Sequence, residues 1–142
     1  MIVLDASSLL EFLLNTATER QVGVRIVDPD VILHVPHLAD IEVAQSLHRQ
    51  VRSGAITATE GGEVLTTLQR MDMVRHAHQP LLPLVWRMRE NLTAYDAVYV
   101  ALAEVLDATL LTCDARLARA PGLRARVIDW RGTPSGFAAR PA

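Results

Sequence analysis

Short apolar runs alternate with segments of helical periodicity along this chain, and that alternation limits its fold more than any single residue does. Residues 2–4 read as a buried strand, "SSLLEFLLN" as the helix after it, and residues 18–27 as a second helix. "VILHVP" (31–36) is the next strand, closed by Pro36. "LADIEVAQSLHRQVRSG" is amphipathic: Asp40 stands at the N-cap, Ile41, Ala44, Leu47 and Val51 form a stripe, and Gly54 ends the helix. "TATEGGEVLTTLQRM" is a weaker helix, because Gly61 and Gly62 each cost about 1 kcal/mol relative to Ala. Beyond it come a short strand in "MVRHAH", helices in "PLVWRMRE" and "AYDAVYVALAEVL", and a strand in "TLLTC". A short helix in "ARLARA" is stopped by Pro121 and Gly122, and "RVIDW" is the last strand. Strands alternating with helices of this length imply βα crossovers, hence an α/β fold of three layers around a mostly parallel sheet. We expect one domain over residues 1–131 and a flexible tail over 132–142, where Gly, Pro and Ala dominate.

At 142 residues the chain is long enough to bury one core of its own. Its hydrophobic fraction of 50% suits a sheet covered on both faces. The net charge of −2 gives no global basic field, which argues against a simple DNA-binding module but not against a nuclease whose acidic centre offsets basic residues elsewhere. All 14 basic residues are Arg. Phosphate contacts must therefore come from Arg, backbone amides or a metal, and no reaction here uses a catalytic lysine. Cys113 is the only cysteine, so there is neither a disulfide framework nor a Cys-based zinc site, as expected in a reducing cytosol. With no signal-like N-terminal segment and no apolar stretch near 20 residues, a cytoplasmic protein is expected.

In "NLTAYDAVYVALAE" (91–104) an apolar helix carries a carboxylate, Asp96, near its start, with no basic residue three or four positions away. Thr93 and Asp96 fit a capping box, and an acid in the first turn favours the helix dipole. Three other acids raise the same question. Asp5 ends the first strand, where its local reading is a cap for the following helix, but Ser8 and Glu11 offer a capping box of their own there and leave Asp5 spare. Glu42 lies in the first turn after "VILHVP", on a face shared with Ser46 and Arg49, where a surface acid also suits the dipole. Asp114 ends "TLLTC", where it suits an N-cap. Each has a local explanation, yet all four fall at the carboxyl edge of one sheet, where ligands of α/β proteins gather. Like charges about 4 Å apart repel by roughly 4 kcal/mol at an effective dielectric of 20, so such a cluster needs cations. Hard carboxylate oxygens without cysteine select Mg²⁺ or Mn²⁺ over zinc.

"MIVLDASSLL", "ADIEVAQSLHR", "LTAYDAVYVALA" and "LLTCDARLA" resemble, in order and spacing, the four acidic blocks of PIN-domain ribonucleases, especially toxins of the VapBC type. The likeness covers about residues 1–130. It implies a PIN-like fold with a five-stranded parallel sheet, Mg²⁺- or Mn²⁺-dependent endonucleolytic cleavage of RNA, inhibition by a cognate VapB-like antitoxin, and a homodimer. Carried over by position, Asp5, Glu42, Asp96 and Asp114 become the catalytic, metal-binding tetrad. Ser7 becomes a polar neighbour of the first metal, and Thr112 a supporting group behind the ligands. Arg116 and Arg119, after Asp114, are candidates for flanking phosphates, or alternatively a solvated face of a short helix.

Competing readings remain open in the sequence. His34 and His37 form H-x-x-H, and His76 and His78 lie two apart, which suits a metal-free ribonuclease using two histidines. A phosphorylated receiver domain also gathers acids at strand ends but relies on a lysine, and this chain has none. A PIN-like module that only binds RNA or protein is the rival from another class. "LLEFLL" is more apolar than one core-facing stripe requires, so its helix is either buried on two sides or faces a partner.

Overall fold

A computed structural model describes residues 1–14 and 30–129. The helix expected over 18–27 and the tail over 132–142 lie outside the described residues. Five strands form one sheet: β1 (Ile2–Leu4), β2 (Leu33–Pro36), β3 (Val74–His76), β4 (Thr109–Thr112) and β5 (Val127–Asp129). Their order is β3-β2-β1-β4-β5, and every pairing is parallel. Six α-helices are described: α1 (Ala6–Leu13), α2 (Leu38–Arg52), α3 (Ala58–Arg70), α4 (Leu82–Arg87), α5 (Ala94–Leu106) and α6 (Ala115–Ala118), with a 3₁₀ turn at Gln79–Leu81 before α4.

Helices α1, α2 and α3 pack on one another, while α4 packs on α5, and the sheet lies between the two groups. The central helix is α5, which touches β1, β2 and β4 and buries every residue from 97 to 103. That is why its sequence is apolar on nearly every face. Opposing it, Val3, Leu4, Val35, Leu110 and Leu111 are almost wholly shielded from solvent, as expected of strands covered on both faces.

Two local expectations are corrected. The N-cap of α2 is His37, not Asp40, because the helix starts directly after Pro36; Asp40 falls in its first turn and pairs with Arg75 at 2.9 Å. The buried stripe of α2 is Ala39, Val43 and Leu47, whereas Ile41 is 68% exposed. The helix expected in "TATEGGEVLTTLQRM" forms as α3 and runs unbroken through its two glycines. A full capping box between Thr57 and Glu60 starts it, and Gly61 lets it pack closely on α2: a side chain there would place its first carbon 3.4 Å from Val51 Cγ2.

The topology fixes where chemistry can occur. From β1 the chain steps outward to β2 and β3, then returns through α4 and α5 to β4 on the other side of β1. The carboxyl ends of β1 and β4 therefore flank the switch point, where open α/β sheets leave a crevice. Helix α2 follows β2 and so begins at this edge; α5 runs back antiparallel to the strands before β4, and so also begins there.

Candidate active site

A cleft of about 570 Å³ opens at that edge, and Asp5, Glu42, Asp96 and Asp114 all line it. All four acids chosen from the sequence are thus brought together: Asp5 and Asp114 at strand ends, Asp96 in the first turn of α5, and Glu42 one turn further into α2 than expected, because that helix already starts at Leu38.

Asp5 is the most buried, at 5% exposure. It is not spare: it is itself the N-cap of α1, accepting from the Ser8 amide at 2.8 Å, and Ser8 lies within the helix. The same carboxylate accepts from the hydroxyls of Ser7 (2.8 Å), Ser8 (2.6 Å) and Thr112. Burial nevertheless pushes its pKa above the ordinary carboxylate range, against the opposing effect of these donors. Thr112 also accepts from the Asp114 amide at 2.9 Å, so one hydroxyl ties the end of β1 to the end of β4. Ser7 likewise accepts from the Cys113 amide at 2.9 Å. Ser7 and Thr112 thus both contact Asp5 directly.

Glu42 is half-buried rather than a surface acid. Its Oε2 accepts from the Tyr99 hydroxyl. Burial raises its pKa, and so do the charges of Asp5 and Asp96, while the Tyr99 bond lowers it. Tyr99, 2% exposed, is held as a neutral phenol, its pKa raised by burial and by Glu42. Thr93 caps α5 as expected, but the reciprocal half of a capping box is replaced by a bond between the two side chains. The Asp96 amide donates to Thr93 Oγ1 at 3.1 Å, and that hydroxyl donates to Asp96 Oδ2 at 3.0 Å. Asp114 is the N-cap of α6 and pairs with Arg116 at 3.0 Å, which holds its pKa below the usual range. Arg116 is thus engaged with an acid of the cleft, while Arg119, exposed at the C-cap of α6, does not line it.

Among the described residues, no three His, Cys, Asp or Glu side chains are arranged to hold one metal ion together. Each carboxylate is instead engaged with a donor of the protein: Asp5 with Ser7, Ser8 and Thr112, Glu42 with Tyr99, Asp96 with Thr93, and Asp114 with Arg116. Hydrated Mg²⁺ does not need a closed protein cage, since it commonly uses one or two carboxylates together with waters and substrate phosphates. The donor set suits such an ion: only hard oxygens are offered, and Glu42 carries a charge penalty from Asp5 and Asp96 that a cation would relieve.

Sequence reasoning missed Tyr99 and Ser8, although both signals were present. Tyr99 lies three residues after Asp96 and so shares its helix face. Ser8 lies three residues after Asp5, the spacing of a side-chain cap. The cleft also has exposed apolar rims in Ile41 and Tyr95, and a basic side chain, Arg49. The histidines stand apart from the acids. His34 pairs with His76, Nδ1 to Nε2, at 2.9 Å across β2 and β3.

The described family model "PIN domain" matches residues 2–123. The chain is 43% identical over 117 residues to VapC ribonuclease Mb0985 of Mycobacterium bovis, spanning 82% of this chain and 88% of that protein. It is 40% identical over 122 residues to ribonuclease VapC1 of Mycobacterium tuberculosis, spanning 85% of this chain and 91% of that one. The crystal structure of Mycobacterium tuberculosis VapC20, a sarcin–ricin loop cleaving toxin, shares the fold. Its TM-score is 0.65 at 10% identity, covering 83% of this chain and 93% of that chain.

Proposed function

Because this chain belongs to the PIN-domain family, we propose that it is an endoribonuclease, the toxin of a toxin–antitoxin pair, hydrolysing RNA phosphodiester bonds with Mg²⁺ or Mn²⁺. The observation that carries this reading is the convergence of Asp5, Glu42, Asp96 and Asp114 on one cleft, with Glu42 charge-coupled to Asp5 and Asp96. Identity of 40% and more to VapC ribonucleases over most of the chain supports the ribonuclease and toxin assignments. Metal dependence follows from the donor chemistry and from the family.

Asp5 and Asp96 are the proposed direct ligands, with Glu42 and Asp114 completing the acidic set. A divalent cation bound there supplies Lewis-acid stabilisation and lowers the pKa of a coordinated water. The chain's own residues do the positioning. Three hydroxyls and one amide fix the Asp5 carboxylate in a single orientation at the end of β1. Tyr99 holds Glu42 by Oε2, leaving Oε1 to take a proton from the attacking water. Arg116 neutralises Asp114 without substrate and is the proposed contact for a flanking phosphate, with Arg119 beside it. A cognate VapB-like antitoxin, a second copy of this chain and a cytoplasmic location belong to the same proposal. No helix among the described residues is long and apolar enough to cross a membrane.

Purified protein is expected to cut RNA endonucleolytically with Mn²⁺, and to stop with EDTA or on Asp96→Asn. The rival reading, a silent module, draws on the absence of a three-carboxylate metal set among the described residues. RNA binding indifferent to EDTA, without cleavage, would select it.

A further inference from the structure

A cleft lined by four carboxylates repels the very polyanion it is proposed to cut. Arg116 is engaged with Asp114. Among the described residues, Arg49 is the only basic side chain that lines the cleft, and it has no carboxylate partner there. It sits on the same face of α2 as Glu42, seven residues on, which is roughly 10 Å along the helix axis. Its exposed guanidinium donates to Ser46 Oγ, one turn earlier, at 2.8 Å. Glu42, Ser46 and Arg49 therefore form a polar track down one wall of the cleft, leading from the acids to a cation.

Resting on the nuclease reading above, we propose that Arg49 is a substrate-positioning residue that grips an RNA phosphate outside the scissile one and sets the strand's register against the acids. A guanidinium matches a phosphate with two parallel N–H donors, and its charge is available because no acid of the cleft neutralises it. The Ser46 bond leaves other guanidinium N–H groups to face the strand. Arg49 touches no reacting atom. It acts by holding the strand, so its loss is expected in KM and in salt dependence rather than in kcat.

The test compares Arg49→Gln, Arg49→Lys and, as control, Arg52→Gln, an exposed residue of the same helix that does not line the cleft. Binding of a single-stranded RNA oligonucleotide is measured at several KCl concentrations and fixed Mg²⁺, with Asp96→Asn as background so that nothing is cut. One lost phosphate contact flattens the slope of log K against log salt by about 0.7 for a single strand. That flattening is expected for Arg49→Gln, while Arg49→Lys and Arg52→Gln keep the parent slope. In otherwise wild-type protein, Arg49→Gln is expected to raise KM with kcat held. An unchanged slope for Arg49→Gln, an equal loss for Arg52→Gln, or a fall in kcat at constant KM would each overturn the proposal. Because the slope reads binding alone, it judges Arg49 even where wild-type protein cuts no RNA, an outcome that refutes the nuclease reading instead.

Discussion

The acidic residues were each explicable singly as caps or dipole partners. The structure keeps capping or first-turn places for Asp5, Asp96 and Asp114, removes Glu42 from the first turn of its helix, and brings all four to one cleft. Their convergence was legible because strand ends and first helical turns share an edge in any parallel α/β sheet. What stayed hidden is where each carboxyl oxygen points. That depends on long-range partners such as Thr112 for Asp5, 107 residues away, and Tyr99 for Glu42. Tyr99→Phe removes the donor that orients Glu42 without changing shape. It is expected to weaken Mn²⁺ affinity or activity about 10- to 100-fold, as losses of partners behind metal ligands do, which a Mn²⁺ titration of cleavage would read. Glu42 yields a prediction of opposite sign. Its pKa is raised from 4.5 by burial and by Asp5 and Asp96, so folded, metal-free protein keeps a proton that the unfolded chain has released. Stability of that form therefore falls as the pH climbs from 4.5 through the folded value. Glu42→Gln is expected to melt at a higher temperature than wild type in EDTA at neutral pH. In saturating Mn²⁺ the order reverses, since a ligand at 100 times its Kd adds about 2.7 kcal/mol to the protein that binds it. Thermal melts of both proteins in both buffers check this.

Among the elements, the helix judged weakest shows what a sequence leaves out. Gly61 and Gly62 look alike in a propensity count, but one is buried against Val51 and Ile56 while the other has nothing within 4 Å of a built side chain. Gly62→Ala is expected to stabilise the protein by about 0.5–1 kcal/mol, and Gly61→Leu to destabilise it by forcing α2 and α3 apart. Denaturant midpoints distinguish the two. The histidines show a related limit: the register sets His34 opposite Val74, and the ring of His76, two residues further along β3, meets His34 diagonally, a contact that sequence spacing does not reveal. Burial, the facing His76 and the chain's N-terminal charge lower the pKa of His34 from 6.5. The unfolded chain then takes up a proton that the folded form resists. The contribution is complete above 6.5 and is lost as the pH falls from there toward the folded value. Wild type is expected to lose more melting temperature than His34→Leu on acidification from about pH 7.5 to about pH 5.5.

At the scale of the molecule, the alternation of strands and helices was enough for the architecture, and the observed sheet is parallel throughout, in the order β3-β2-β1-β4-β5. That order was not legible, because nothing local says that the chain returns across β1 after β3. It is nevertheless the property that matters, since the return makes the crevice between β1 and β4 and delivers α2 and α5 to the same edge. The claim that unites these scales is that the acids gathered there cut RNA in the cell. The most direct measurement is end-mapping of cellular RNA after induction of the wild-type protein and of Asp96→Asn. Discrete new 5′ ends at defined positions are expected with the wild type and absent with Asp96→Asn. No new ends with the wild type, or the same ends with Asp96→Asn, would contradict it.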